Sequence, residues 1–234
     1  MNLGIVGKRY EDIKIIIESN NIGETNSFTS VLSSFGGMHN FLETESTECN
    51  IVFFERGAKT AYILENISES VRTAYTKTIC ESILKKSDIE NLNKMDWVHV
   101  SYVDDFENIQ PILDISPPFS IDFCLSEDRE SFVEYMKKAS IIFDSRERKR
   151  LYSNIRIETP IVLHDDNGCE IIKNGKKVHE DFCKTLSNIT VNGAGDIYAK
   201  YFIEKYFFNR CDAKDSASFA LSKTTKFLKN RNIQ

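Results

Sequence analysis

Gly193-Ala194-Gly195-Asp196 narrows the folds open to this chain more than any other stretch. Beyond it, Ala199, Phe202, Ile203 and Tyr206 recur at i, i+3, i+4 and i+7, so the residues after Asp196 read as a helix with one apolar face. A Gly-Ala-Gly turn therefore stands at a helix N-terminus, where free amides and the helix dipole favour an anion. The glycines let a ligand approach the backbone closely. Asp196 falls in the first turn, beside the same spot. A phosphate cradle next to a carboxylate is what phosphoryl transfer to a hydroxyl needs. Taken alone, the same four residues fit a strand-to-helix turn with a capping aspartate equally well.

The rest of the chain must house this turn. Its 234 residues suit one domain, or one with an appendage, and 41% hydrophobic residues allow a sizeable core. A formal net charge of -5 argues against a nucleic-acid partner. The cysteines (Cys49, Cys80, Cys124, Cys169, Cys183, Cys211) show no metal spacing, and the histidines no helical ligand pairing. No apolar run suits a signal peptide or a membrane span. The expectation is a soluble, reduced, cytoplasmic protein with no membrane partner, in which the sequons at Asn66 and Asn188 mean nothing.

Taken in order, Leu3 to Val6 reads as a buried strand ending at Gly7, with Asp12 five residues on. Ile13 to Ile17 is a loose strand pattern, Asn20 to Thr25 a turn, and Phe28 to Leu32 a strand. Gly36-Gly37 follows, which admits close approach of a ligand or makes an ordinary turn. Residues 50–65 look like a hairpin, Ile51–Phe54 against Thr60–Leu64, turning through Arg56-Gly57-Ala58-Lys59. Residues 69–85 read as a helix with Val71, Tyr75, Ile79, Ile83 and Leu84 on one side. Strand and helix then alternate. Strands are expected at Trp97–Val100, Phe119–Phe123, Ile141–Phe143 and Pro160–Leu163, and helices at 106–113, 129–138 and 145–152. A hairpin turns at Lys173-Asn174-Gly175-Lys176, and a closing helix carries Ala213, Ala217, Ala220, Leu221, Thr224 and Leu228 as a stripe. Alternation of this kind implies a mostly parallel sheet covered on both faces.

The order and spacing of these features resemble the ribokinase-like (PfkB) carbohydrate kinases over nearly the whole chain. Their D-T-x-G-A-G-D hallmark is matched by Thr190-Val191-Asn192-Gly193-Ala194-Gly195-Asp196, and their G-x-x-x-x-D by Gly7 and Asp12. Gly23-Glu24-Thr25 matches their G-E-T. Gly36-Gly37-Met38-His39-Asn40 is similar to their Gly-Gly-x-x-x-Asn, and Asp144-Ser145-Arg146-Glu147 to their N-x-x-E. Leu163 to Gly168 aligns loosely with T-x-G-x-x-G. Ser120 to Ser126 is similar to the fructoselysine-type kinases among them.

The resemblance implies an α/β fold, with a three-layer ribokinase-like core, a mostly parallel sheet and a small β-sheet lid. A single domain spans 1–234, with lid strands within 12–34 and 50–65. It implies an ATP-dependent transfer of the γ-phosphoryl group to a hydroxyl of a sugar or sugar derivative, with Mg²⁺. Asp196 would be the base, and the amides of Gly193, Ala194 and Gly195 would stabilise the transferring phosphate. Asp12, Gly36, Gly37 and Asn40 would face the substrate, and Glu147 with Asp144 would organise Mg²⁺ through water. Each has a plainer alternative: Asp12 an exposed strand residue, Asn40 a helix cap, Glu147 a solvated helix face. The lid, with one apolar face and open edges, implies a homodimer.

The chain also departs from the family pattern. Thr190, Val191, Asp144, Leu163 and Asp165 replace expected residues, and the Gly-Gly segment is one residue short. Most of the helix–strand–helix region after Asn40 is missing, which predicts a sheet narrower on that side. A catalytically impaired ribokinase-like protein that binds a small molecule or nucleotide is the rival expectation.

Overall fold

Two long strands carry both the core and the lid. In a computed structural model, which describes residues 1–17, 27–44, 49–66, 71–76, 82–124, 126–184, 186, 189 and 191–231, β1 (Asn2–Ile17) runs antiparallel to β2 (Ser30–Gly37) and parallel to β3 (Asn50–Asn66). The chain continues through β4 (Val71–Thr76), β5 (Ser82–Ile83), α1 (Lys86–Leu92), β6 (Trp97–Val100), β7 (Phe106–Asn108) and β8 (Phe119–Asp122). Then come α2 (Val133–Lys138), β9 (Ile141–Ser145), β10 (Ile161–His164), the hairpin β11 (Gly168–Lys173) and β12 (Lys176–Phe182), α3 (Ala194–Ile203) and α4 (Ala213–Arg231).

The main sheet has the order β12-β11-β10-β9-β8-β6-β1-β3-β4, with β2 on β1. Its block from β10 to β3 is parallel. The short runs Trp97–Val100 and Ile141–Phe143 are buried throughout, as strands covered on both faces must be. Alternate side chains feed two cores. Ile142, Ile161 and Leu163 join the core with α1 and α2 nearby, while Ile141, Phe143 and Val162 pack with Phe202 and Ala217 from α3 and α4. The result is the expected three-layer α/β core with a mostly parallel sheet.

The lid grows out of this sheet without a break. Leu3–Val6 of β1 pairs with β6, while Arg9–Ile16 of the same strand pairs with β2. The register against β3 shifts between Gly7 and Arg9, where Gly57 has φ +103°. The extra residue on β3 makes a bulge, which bends that strand locally and increases its twist. The expected hairpin over 50–65 is therefore one continuous strand. Arg56-Gly57-Ala58-Lys59 forms the bulge instead of a turn, and residues 50–55 belong to the core sheet. On this side the core ends at β3, one strand beyond β1.

Two expected helices are corrected. The described parts of 69–85 are strand: β4 pairs antiparallel with β3, setting Tyr75 opposite Tyr62. Val71, Thr73, Tyr75 and Thr76 favour a pleated edge, and an open strand edge outweighs a weak helical period. Residues 106–113 form β7 and a 3-10 turn, Gln110–Asp114, which Pro111 opens. Asn20–Ile22 and Gly23-Glu24-Thr25 lie outside the described residues, as does Thr190.

Candidate active site

Asp196 sits in the first turn of α3 and is 2% exposed. Its carboxylate accepts from Asn40 Nδ2 at 2.7 Å and from the Tyr102 hydroxyl, 3.1 Å from both oxygens. Donors of this kind fix the orientation of a buried carboxylate. Gly193 caps the helix at φ +78°, which favours glycine, and a Cβ there would come within 2.8 Å of Asn40 Cγ. A Cβ on Gly195 would come within 3.0 Å of His164 Cε1. His164 lies under the turn with its ring 4.8 Å from that of Tyr198, and burial pulls its pKa down to about 4, so it is neutral near pH 7.

The turn is tied to the lid. Asn192 Nδ2 donates to Asp12 Oδ2 at 2.8 Å, Val191 N–H donates to Glu65 Oε1 at 3.3 Å, and Arg231 at the end of α4 donates to Asn192 O at 3.0 Å. Asp12 is 3% exposed, so it is not a solvated strand residue. Gly36 lies opposite Tyr10 in the register, and a Cβ on it would overlap the Asp12 carboxylate. Gly37, at φ +59°, ends β2 and starts the 3-10 turn Met38–Leu42 that carries Asn40. The root of the lid is pinned to the core by Asp105, which accepts from Tyr10 OH and from the Lys59 ammonium.

One cavity of about 590 Å³ joins these pieces. Asp12, Gly37 and Asn40 line it, together with Gly193, Ala194, Gly195, Asp196 and Glu147. Residues far apart in sequence thus share one space. Leu221, Thr224 and Leu228 of α4 also line it and make a more apolar part of its wall. Thr224 is buried there, and its hydroxyl has no hydrogen-bond partner among the described residues. Asp165 and Asp166 line the cavity as well. Asp165 Oδ1 is spent on its own loop, accepting from Asn167 N–H at 2.8 Å and Gly168 N–H at 2.9 Å.

Asp144 is placed otherwise than expected. It does not line the cavity. Oδ2 accepts from Arg129 Nη2 at 2.8 Å and from Tyr152 OH at 2.6 Å, and Oδ1 accepts from Arg148 Nε at 2.7 Å. A carboxylate held by two guanidinium groups is a poor ligand for a further cation. Glu147, one turn on, is exposed and lines the cavity. Asp122 stands beside Asp196, and burial, then the Asp196 and Asp144 charges, push its pKa well up. Among the described residues no group of three or more His, Cys, Asp or Glu could hold a metal by itself.

Sequence reasoning missed Tyr102, Asn192, Arg148 and His164. Asn192 and Arg148 lie inside or next to quoted motifs, so their neighbours could have flagged them. Tyr102 carries no sequence signal at all.

No protein-family profile matches the chain, and no curated protein matches it in sequence. Solved structures do match in shape. A pyrophosphate-dependent kinase of the ribokinase family superposes with a TM-score of 0.66 at 14% identity, over 97% of this chain and 95% of that one. Arabidopsis thaliana ribokinase, solved with ribose and ATP, gives 0.64 at 12% identity, over 97% and 92%. The Methanocaldococcus jannaschii nucleoside kinase, an archaeal member of the ribokinase family, gives 0.64 at 13% identity, over 97% and 91%. The fold is the ribokinase fold.

Proposed function

We propose that this chain is a kinase that moves the γ-phosphoryl group of ATP to a hydroxyl of a sugar or sugar derivative. The observation that carries it is the buried Asp196 carboxylate, held by two donors at the mouth of a glycine-lined helix N-terminus. The neighbours of known shape, a ribokinase solved with ribose and ATP among them, support the class of reaction.

In this reading Asp196 takes the proton of the attacking hydroxyl. A carboxylate that is already fixed in place costs no reorganisation when the hydroxyl arrives. The amides of Gly193 and Gly195 hold the oxygens of the transferring phosphate and the α3 dipole adds to them, while the Ala194 N–H already donates to Val191 O at 3.1 Å. Asp12 and Asn40 orient the acceptor. The Asn40 Oδ1 atom is buried without a partner among the described residues, so it can accept a substrate hydroxyl; Gly37 lines that side of the cavity, while Gly36, which does not, leaves room for the Asp12 carboxylate. Glu147 would hold Mg²⁺ through water, and Asp144 serves instead to position Arg148. Bound Mg²⁺ supplies neutralisation of phosphate charge. The unpartnered Thr224 hydroxyl and its apolar neighbours suit a nucleobase.

Two copies would pair through the outer face of the lid, where Val31, Phe35, Tyr62 and Tyr75 are each more than half exposed. A second reading, a binder without turnover, draws on Asp165 and Asp166, which put carboxylates where a nucleotide needs neutral contacts. The test is a panel of free sugars, ketosamines and nucleosides with Mg-ATP. Turnover that Asp196→Asn lowers by about 10²–10⁴-fold, with ATP affinity kept, is expected. ATP binding with no turnover across the panel would favour the binder.

A further inference from the structure

We propose that Tyr102 is the positioning residue of the base, and that it carries the seating of the lid to the Asp196 carboxylate. The proposal rests on Asp196 being that base.

Tyr102 OH is 3.1 Å from both carboxylate oxygens. A phenol has one proton to give, so equal distances put it astride the carboxylate and set the plane of the group. Asn40 Nδ2 fixes Oδ2 from another side at 2.7 Å. Rotation about the last bond of an aspartate is otherwise broad. Tyr102 also stands at φ +65°, ψ +74°, a left-handed conformation that a bulky residue rarely adopts. Strain of this kind collects where the surroundings over-determine a side chain.

The ring reaches the other way. It packs against Tyr10, Ala61 and Ile63, the residues that β1 and β3 turn toward the cavity. The Tyr10 ring is 5.6 Å away, tilted by 31°. One side chain therefore has its ring on the lid and its hydroxyl on the base. A lid that lifts takes away the support of the ring, and the phenol leaves the plane it imposes. The base is then aligned only under a seated lid. This would spare the donor from hydrolysis while the site is open to water.

The test reads the carboxylate directly. Aspartate is labelled with ¹³C at the carboxyl, and the Asp196 signal is assigned by its loss in Asp196→Asn. Asp122 from β8 interacts with it, and Asp12 from β1, Glu147 and Arg148 after β9, and His164 from β10 line the same cavity. Tyr102→Phe leaves all of them and the ring in place. It should move the Asp196 titration upward, since the carboxylate loses a donor. With an acceptor from the panel, kcat should fall about 10- to 100-fold with the acceptor KM nearly unchanged, and the acid limb of the kcat profile should move up. Ile63→Ala, or Ile63→Val where the first fails to fold, should give a smaller shift of the same sign. An Asp196 titration that is unchanged in Tyr102→Phe overturns the positioning role. A shift in Tyr102→Phe with none in the Ile63 variant overturns the coupling to the lid. Wild-type turnover in Asp196→Asn overturns the base assignment, whatever Tyr102→Phe does to the titration.

Discussion

Gly193→Ala isolates the step that joins the catalytic turn to the substrate side. Two costs add. A side chain at φ +78° is in the left-handed region, which costs a residue with a Cβ about 1–2 kcal/mol. The new Cβ would also stand 2.8 Å from Asn40 Cγ and 3.0 Å from Oδ1 and Nδ2. Asn40 is 3% exposed and has no room to swing away freely, so its 2.7 Å bond to Asp196 is stretched or lost. A hydrogen bond to a charged group contributes about 1.5–3 kcal/mol. Alanine restricts the unfolded chain and returns about 0.4–1 kcal/mol. The net is a destabilisation of about 2–4 kcal/mol, a large share of the roughly 5–15 kcal/mol that holds a domain folded. Urea unfolding measures it as a lower midpoint at constant slope. Gly195→Ala is the control: its backbone is ordinary, and only the His164 ring at 3.0 Å has to give way, so about 1 kcal/mol or less is expected. If Gly193→Ala lies within about 0.5 kcal/mol of wild type, the tight approach of Asn40 to the turn is not what holds this site.

Other outcomes follow from the same structure. Lys200 is fully buried and donates to Phe41 O at 3.0 Å and to Thr44 O, tying the turn that carries Asn40 to α3; Lys200→Met should cost about 1–3 kcal/mol and raise the acceptor KM, and an unchanged KM would show the tie to be unnecessary. Burial lowers His164 to about 4 and His99 to about 3. Both fold neutral, so their stabilisation is complete above the unfolded value near 6.5 and is lost as pH falls toward those lower values. The slope is about 1.4 kcal/mol per pH unit for each, and a flat urea midpoint from pH 6.5 to 4.5 would contradict it. On the lid, Tyr62→Lys puts a charge in the centre of the apolar outer face, and sedimentation should move from dimer to monomer; a wild type that already runs as a monomer removes the proposed pairing.

What the sequence settled alone is local. The glycine turn, the helix after it and the buried strands Trp97–Val100 and Ile141–Phe143 follow from spacing and from runs of apolar residues, because such signals act over one turn or one strand. The resemblance added the order of the motifs, and with it the three-layer core. The long strands were not legible. Nothing near Gly57 distinguishes a bulge from a turn until β1 lies alongside, and residues 71–76 are a strand because β3 offers them an edge. The roles of the carboxylates were decided later still. Asp144 and Glu147 look alike in sequence, and only the fold brings Arg129 and Arg148 to the first and leaves the second on the cavity. Tyr102 shows this most sharply. Its partner Asp196 lies 94 residues away, and a hydrogen bond across that separation is a product of packing that no local pattern encodes.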